Sequence, residues 1–147
     1  MKKSFILLLT LGIFFQLLSA DTKNITTQEF PQSEIKKQKM QIVSMVAQEL
    51  SKNLPQKIDN YTSLVSVTND GATLVYTFEI NSGAKSDEAI MKEDHSRMKR
   101  VVTQGVCHSS YRFLEAGIDI RYIYRSALTQ RELFVFNITQ AECKRTQ

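Results

Sequence analysis

The sequence predicts an α+β domain in which two helices pack on a four-stranded, mainly antiparallel sheet that carries one disulfide. Strict alternation of side chains, as in GIDIRYIYR (residues 117–125), is typical of strands, whereas apolar residues at helical spacing indicate helices. These segments follow one another in the order helix, hairpin, helix, hairpin. With 147 residues, 42% of them hydrophobic, and few glycines and prolines, the composition is that of one globular domain.

The N-terminal segment has the pattern of an export signal. Met1-Lys2-Lys3 is positively charged, an apolar run over residues 5–18 follows, and Ser19-Ala20 provides small residues for cleavage. We therefore predict a signal peptide over residues 1–20, with a retained anchor as the alternative. No cysteine ends this segment, so we expect an exported protein that is not lipidated and makes no stable membrane insertion after cleavage. Residues 21–32 are polar and predict a flexible lead-in to a single domain over residues 33–147.

The net charge is small and argues against a nucleic-acid partner. Removing Lys2 and Lys3 from the 19 basic residues leaves 17 against 15 acidic ones, or +2. Many of the basic residues gather late in the chain, which indicates a solvated face or, alternatively, a surface for an acidic partner or a membrane. These late basic residues are Arg97, Lys99, Arg100, Arg112, Arg121, Arg125 and Arg131.

The first helix is predicted from Ser33, whose hydroxyl can cap the first turn, to Leu54. Pro55 ends it, because proline disfavours helical geometry in the residue before it. One apolar stripe recurs at helical spacing and comprises Ile35, Ile42, Val43, Val46, Leu50 and Leu54.

The first hairpin is predicted from strands over residues 63–68 and 73–80. Asn69-Asp70-Gly71 separates them, and these residue types tolerate the positive φ of tight turns.

A second helix is predicted over residues 87–107 and a short helical turn over residues 109–115. The third strand then covers residues 117–125, a turn covers 126–130, and the fourth strand covers 131–139. The helix directs an apolar set toward the core that comprises Ile90, Met91, Met98, Val101, Val102 and Val106.

The strands present two faces of different character. We call the strongly apolar one the inner face; it comprises Val65, Val67, Leu74, Tyr76, Phe78, Ile80, Ile118, Ile120, Tyr122, Tyr124, Phe134, Phe136 and Ile138. The opposite, outer face is mostly polar but carries Val75, Ile123, Leu133 and Val135. These four either stabilise the sheet through cross-strand pairs or lie under the first helix, or they form a groove for a partner's amphipathic helix, rimmed by arginines such as Arg121.

The two cysteines, Cys107 and Cys143, predict a single disulfide, because an exported chain meets an oxidising compartment and no third thiol competes. A redox pair would need close spacing such as C-x-x-C. A metal site would need more ligands than these cysteines with the only histidines, His95 and His108. We expect no metal and no cofactor.

Motifs of known enzymes are absent from the sequence. It contains no Gly-rich phosphate loop, no G-x-S-x-G and no H-E-x-x-H. We therefore predict a protein that is not an enzyme.

The arrangement of these segments resembles the AspS-like (beta) class of type II secretion pilotins over residues 36–143. The resemblance rests on a helix closed by Leu54-Pro55, a hairpin, a helix that ends in Cys107, the sequence EAGI (residues 115–118) before the third strand, and a closing Cys143. It implies a periplasmic domain that binds a short C-terminal helix of a secretin, with Cys107 and Cys143 matching the family's disulfide. The family's lipoprotein cysteine is missing.

The function we expect is therefore a pilotin-like binding module that recognises an apolar helix or peptide of an envelope or secretion protein, such as a secretin tail. The alternative is an inhibitor or immunity protein that acts on a periplasmic hydrolase or toxin, since small exported domains with a disulfide suit that task too.

Overall fold

The computed structural model of this chain describes residues 31–145. The predicted signal peptide and all but the last two residues of the predicted lead-in lie outside these residues. Within them, no helix is both long enough and apolar enough to cross a membrane.

The described chain alternates helices with paired strands. The helices are α1 (Gln32–Ser51), α2 (Asp87–Met91), α3 (Ser96–Ser109), α4 (Tyr111–Glu115) and α5 (Gln140–Arg145). The strands are β1 (Gln56–Lys57), β2 (Thr62–Asp70), β3 (Thr73–Ile80), β4 (Asp119–Ser126) and β5 (Glu132–Ile138).

The sheet has five strands in the order β1-β2-β3-β4-β5 and is mixed. The two predicted hairpins, β2–β3 and β4–β5, are antiparallel as expected. They join through β3 and β4, which are parallel over their whole length from Thr73↔Asp119 to Ile80↔Ser126. The expectation of four strands was wrong, and the parallel centre departs from an otherwise antiparallel pattern. Residues 81–118 return the chain to the end of the sheet at which β3 began, so β4 runs in the same direction as β3.

The core lies between the inner face and the helices. Val43 and Ala47 of α1, Val106 of α3 and Leu114 of α4 join a single cluster of buried side chains with inner-face residues of β2 to β5. The most deeply buried inner-face residues are Leu74, Ile120 and Ile138. The helices thus cover one face of the sheet.

Aromatic rings cross the inner face from strand to strand. Tyr76 of β3 lies 5.1 Å from Tyr122 of β4, Phe78 lies 5.0 Å from Tyr124, and Tyr124 lies 4.7 Å from Phe134 of β5, measured between ring centroids. Tilted and offset rings at these separations attract one another beyond the benefit of burying their area. The ring contacts therefore connect both hairpins across the parallel pair.

Helix α1 differs from its predicted form at both ends. It begins at Gln32 after Pro31, and no side chain caps its first turn, so Ser33 is not the cap. It ends at Ser51, whose hydroxyl oxygen lies 2.7 and 2.8 Å from the carbonyl oxygens of Ala47 and Val67 and can share its one proton between them. The second contact ties the end of the helix to β2.

The predicted stripe of α1 is only partly buried. Val43 is buried, and Val46 and Leu54 pack against the core. Ile42 and Leu50 are each 41% exposed, because the helix rests on the sheet along a narrower line than the stripe.

The predicted second helix is two helices, α2 and α3, separated by residues 92–95. Asp94 accepts hydrogen bonds from the backbone N–H and the hydroxyl of Ser96 at 2.9 and 3.0 Å, and a short acidic side chain that bonds its local backbone favours a helix start. Two residues that were predicted to face the core are exposed: Met91 is 42% exposed and Val101 is 60% exposed.

The first hairpin turn is shifted along the chain. Asp70 pairs with Thr73, so Gly71 and Ala72 form a two-residue turn, with Gly71 at φ +59°. Glycine at the first central position suits a type II′ turn. A register shift between Leu64 and Ser66 also buries Leu64, and leaves Val65 only half-buried.

The predicted disulfide between Cys107 and Cys143 is present and joins α3 to α5, with 5.5 Å between the two Cα atoms. Cys143 is buried, and Lys99 of α3 forms an ion pair with Glu142 of α5 at 3.3 Å. The crosslink closes a loop of 36 residues that contains β4 and β5.

Removing the crosslink should destabilise the domain. A loop of this length predicts a loss of about 4 kcal/mol in the free energy of unfolding when Cys107 and Cys143 are both replaced by serine, because the unfolded chain regains freedom. Urea unfolding of the wild type with and without reductant measures the effect. The doubly substituted protein should not respond to reductant. An unchanged wild-type midpoint under reducing conditions would contradict the expectation.

Alkaline pH should destabilise the domain through its inner-face tyrosines. Burial, with a contribution from Tyr122, raises the pKa of Tyr76 to about 12. The folded state therefore keeps a proton that the unfolded state releases above pH ~10, so this contribution to stability is present below that pH and is lost as the pH rises toward 12. Tyr76→Phe should lose less stability over this interval than the wild type in urea unfolding. The matched control is Tyr61→Phe at a 70% exposed residue, which should follow the wild type. Parallel curves for all three proteins would refute this role of Tyr76.

Candidate partner-binding face

The outer face is built on the register of the three strands β3, β4 and β5. Ile123 of β4 pairs with Val135 of β5 on one side and with Thr77 of β3 on the other. Directly paired residues point to the same side of a sheet, so these three form one row across it. Val75 lies two residues before Thr77 in β3 and is a diagonal neighbour of Ile123. The structure thus brings together three of the four predicted apolar residues.

Leu133 occupies a different position from the other three. The pairing of β4 with β5 shifts between Tyr124↔Phe134 and Arg125↔Glu132, and Leu133 lies at this irregularity. A bulge adds one residue to one strand and bends it locally. Leu133 therefore belongs to the end of the strip and not to the row of Ile123 and Val135.

The strip is less exposed than an open groove would be. Val75 and Leu133 are only 6% and 5% exposed, and Ile123 and Val135 are half-buried. Val75 and Leu133 nevertheless stand apart from the cluster that the helices form with the inner face. Because α1 packs on the inner face, the interpretation that the first helix covers the strip was wrong.

Arg121 organises the row of polar residues beside Val75. Its Nη1 lies 2.9 Å from Oδ2 of Asp70 at the end of β2, and its Nε donates to Oδ1 of Asn137 in β5 at 2.9 Å. Arg121 is also the register partner of Val75. A guanidinium held from two sides has little freedom, so the predicted rim residue is fixed in place across four strands.

Arg125 forms a second polar cluster on the other side of the Ile123 row. Its Nη2 lies 2.8 Å from Oε1 of Glu79, which is its register partner in β3. Its Nε is buried and has no hydrogen-bond partner. The central apolar row is therefore flanked by an arginine on each side, two residues away in either direction along β4.

Sequence reasoning identified Arg121 but missed the groups that hold it and the matching role of Arg125. The spacing of four residues in β4 already places the two arginines on one face. The pairing of Arg121 with Asp70 and Asn137 had no local signal, because it depends on which strands are neighbours.

The face offers apolar contact and charge but no evident chemistry. In the part of the chain that the structure describes, no group of three or more His, Cys, Asp or Glu side chains could hold a metal ion. His95 lies on the inner side, where its ring stacks on Phe134 at 3.9 Å between centroids. Cys107 and Cys143 are consumed by the disulfide.

A separate cavity of about 380 Å³ opens on the inner side at one end of the sheet. Ile80, Ile90, Met98 and Phe134 provide apolar walls, and His95 lines it as well. The ion pair between Lys85 and Glu93, at 2.7 Å, lies at the same cavity. It is distinct from the outer face, since Ile80 and Phe134 belong to the inner one.

A known protein family matches most of this chain. Residues 34–134 match the model of a family described as a domain of unknown function, DUF8479. Among curated proteins, no sequence matches the chain.

Three solved structures share the fold. A Pseudomonas aeruginosa protein provisionally described as secreted superposes with a TM-score of 0.67 at 16% identity, covering 74% of this chain and 96% of its own. The type II secretion pilotin EpsS of Vibrio vulnificus superposes with a TM-score of 0.62 at 16% identity, covering 76% of this chain and 96% of its own. The type II secretion pilotin AspS of Vibrio cholerae superposes with a TM-score of 0.60 at 17% identity, covering 76% of this chain and 98% of its own.

The expected resemblance to pilotins is confirmed for the fold, since two of these structures are pilotins and almost their whole length is matched. The family model covers more than two thirds of the sequence, from the first turn of α1 into β5. The chain belongs to the DUF8479 family, and its fold is that of a pilotin.

Proposed function

We propose that this chain is a non-enzymatic, pilotin-like binding module that recognises an apolar helix of an envelope or secretion protein, such as the tail of a secretin. The observation that carries the proposal is the asymmetry of the sheet: the described helices pack on the inner face, while the outer face carries the row of Ile123 and Val135 between two arginine clusters. Two proteins with the same fold are pilotins of type II secretion systems.

The outer face suits an amphipathic helix for a physical reason. A helix binds a sheet through a narrow apolar stripe, and its anchors at i, i+3, i+4 and i+7 need an apolar strip of similar width. Ile123 and Val135 would provide the centre of that strip, with Val75 and Leu133 at its ends. The near-complete burial of these two ends means that only the central row offers substantial apolar area before binding.

The arginines would determine which helix is accepted. Arg121 is already engaged by Asp70 and Asn137, and Arg125 by Glu79. About a third of the side-chain area of each of the two arginines is exposed to solvent. Charges at the rim of an interface contribute more to specificity and to the rate of association than to affinity. An apolar helix with acidic residues beside its stripe is therefore the preferred partner.

We also infer a periplasmic location from the pattern of the first twenty residues. Export through a cleaved signal peptide, without lipidation, would place the oxidised domain where secretin subunits pass on their way to the outer membrane. The disulfide is compatible with that compartment. The proposal includes no cofactor.

Replacing Val135 with aspartate should weaken binding of the helix. A charge at the centre of the apolar row must be desolvated without a partner, so we expect affinity for a labelled peptide of the C-terminal helix of the same organism's secretin to fall by at least about tenfold. Fluorescence anisotropy at matched protein concentrations measures this change.

The matched control is Val101→Asp, the same substitution at a 60% exposed residue of α3 on the other side of the domain. It should bind the peptide like the wild type. Circular dichroism melting verifies that both variants fold. Equal binding by wild type and Val135→Asp, or equal loss in both variants, would refute the proposed site. Absence of any binding by the wild type would refute the proposed secretin helix.

A further inference from the structure

The six arginines within residues 97–131 fall into two groups that the structure separates. Arg121, Arg125 and Arg131 all form ion pairs, with Asp70, Glu79 and Glu88 respectively. Within the described residues, Arg97, Arg100 and Arg112 form none. These three lie on α3 and α4, on the helical layer. Their charge is therefore not consumed by internal contacts.

The unpaired arginines belong to one continuous surface. Arg97, Arg100, Val101, Gln104 and His108 follow at i, i+3, i+4, i+7 and i+11 and are all exposed, so they form a single stripe along α3. This stripe points away from Val106 and the sheet.

The stripe continues onto α4 at its C-terminal end. A cavity of about 360 Å³ is lined by His108 of α3 together with Tyr111 and Arg112 of α4, which brings these side chains to one place. Tyr111 is 46% exposed. We call the stripe on α3 together with Tyr111 and Arg112 the basic helical surface.

We propose that the basic helical surface docks on a bilayer that contains anionic lipids. The surface combines three guanidinium groups that form no ion pair within the described residues with the exposed side chains of Val101 and Tyr111. Arginine binds phosphate groups well, and a tyrosine at the level of the headgroups keeps its ring in apolar surroundings and its hydroxyl in water. Arginines near an anionic leaflet gain affinity without any specific geometry.

A bilayer fits this surface better than an acidic polypeptide does. The exposed side of a helix is convex, whereas recognition of a peptide generally uses a groove or a sheet edge. Nucleic acid is a poor match because the excess of basic residues after residue 20 is only two. The apolar side of α3 is already committed to the core through Met98, Val102 and Val106, so α3 would lie on the lipid surface without inserting as an amphipathic helix.

Two exposed carboxylates, Asp94 and Glu115, lie at the two ends of the basic helical surface and offset part of its charge. Asp94 lies before the stripe, and its hydrogen bonds from Ser96 leave its negative charge in place, whereas Glu93 forms an ion pair with Lys85. Glu142 of α5 forms an ion pair with Lys99, which lies beside the stripe. At the other end of the basic helical surface, Glu115 of α4 is an exposed acidic residue.

The basic helical surface and the outer face lie on opposite sides of the domain, since α3 packs on the inner face. A bilayer and a polypeptide could therefore bind at the same time. The proposal does not depend on the proposed function.

The test uses the full chain and two kinds of vesicle, phosphatidylcholine alone and equal parts of phosphatidylcholine and phosphatidylglycerol. Sedimentation gives the partition coefficient of the protein on each kind of vesicle. Apolar binding by residues 5–18 should be the same on both vesicles, so it cancels in the ratio of the two coefficients. The wild type should prefer the anionic vesicles, and this preference should decrease as salt is added.

The triple variant Arg97→Gln, Arg100→Gln, Arg112→Gln should reduce that ratio by at least about tenfold, since each arginine close to an anionic surface contributes about fivefold. The control Lys36→Gln, Lys37→Gln, Lys57→Gln removes the same charge from exposed residues of α1 and β1 and should change the ratio by no more than about twofold. All six side chains are exposed, so both variants should melt like the wild type.

An equal loss in both triple variants would mean that net charge alone attracts the protein, and would overturn the proposal. A wild type without preference for anionic vesicles would also overturn it and would leave an acidic protein as the occupant of the surface.

Discussion

The parallel pairing of β3 with β4 is the constraint on which the rest of the structure depends. Parallel neighbours cannot be joined by a tight turn, so residues 81–118 must return from one end of the sheet to the other. That connection carries α2, α3 and α4, and its buried side chains, including Val106 and Leu114, join the inner-face core. With α1 on the same side, helices cover one face of the sheet. The asymmetry from which we infer a binding face follows from this topology.

The inner face is where the domain gains its rigidity. Rings of β3, β4 and β5 contact one another at about 5 Å across the parallel pair, and the disulfide ties α5 back to α3 within the same layer. The strands that present Ile123 and Val135 outward are the strands whose other side is held by these contacts. A rigid platform loses little conformational entropy when it binds a partner.

The distribution of arginines reflects the two sides of the molecule. On the outer face, Arg121 and Arg125 pair with carboxylates of neighbouring strands and frame an apolar row. On the helical side, Arg97 and Arg100 form no ion pair with any described residue. This chain shares its fold with two pilotins at only 16–17% identity, and a common fold does not by itself fix the exposed charges.

The local sequence was sufficient for the elements that carry a strong period or a defined chemistry. The alternation of residues 117–125 is realised in β4, and Cys107 and Cys143 form the disulfide. Short elements escaped notice: β1 has two residues and α5 has six, too few for any periodicity to show. The break at residues 92–95 was hidden because Ile90, Met98 and Val102 continue a helical spacing across it.

By itself, the sequence determined most of the longer helices and strands and which side chains share a strand face, because both depend on residues a few positions apart. Only the tertiary structure decided that β3 and β4 are parallel, that Arg121 pairs with Asp70, and that α1 packs on the inner face and leaves Ile123 with Val135 on the other. These contacts join residues far apart in the chain, and no local period records them. Their selection depends on which arrangement buries the apolar face of every element at once.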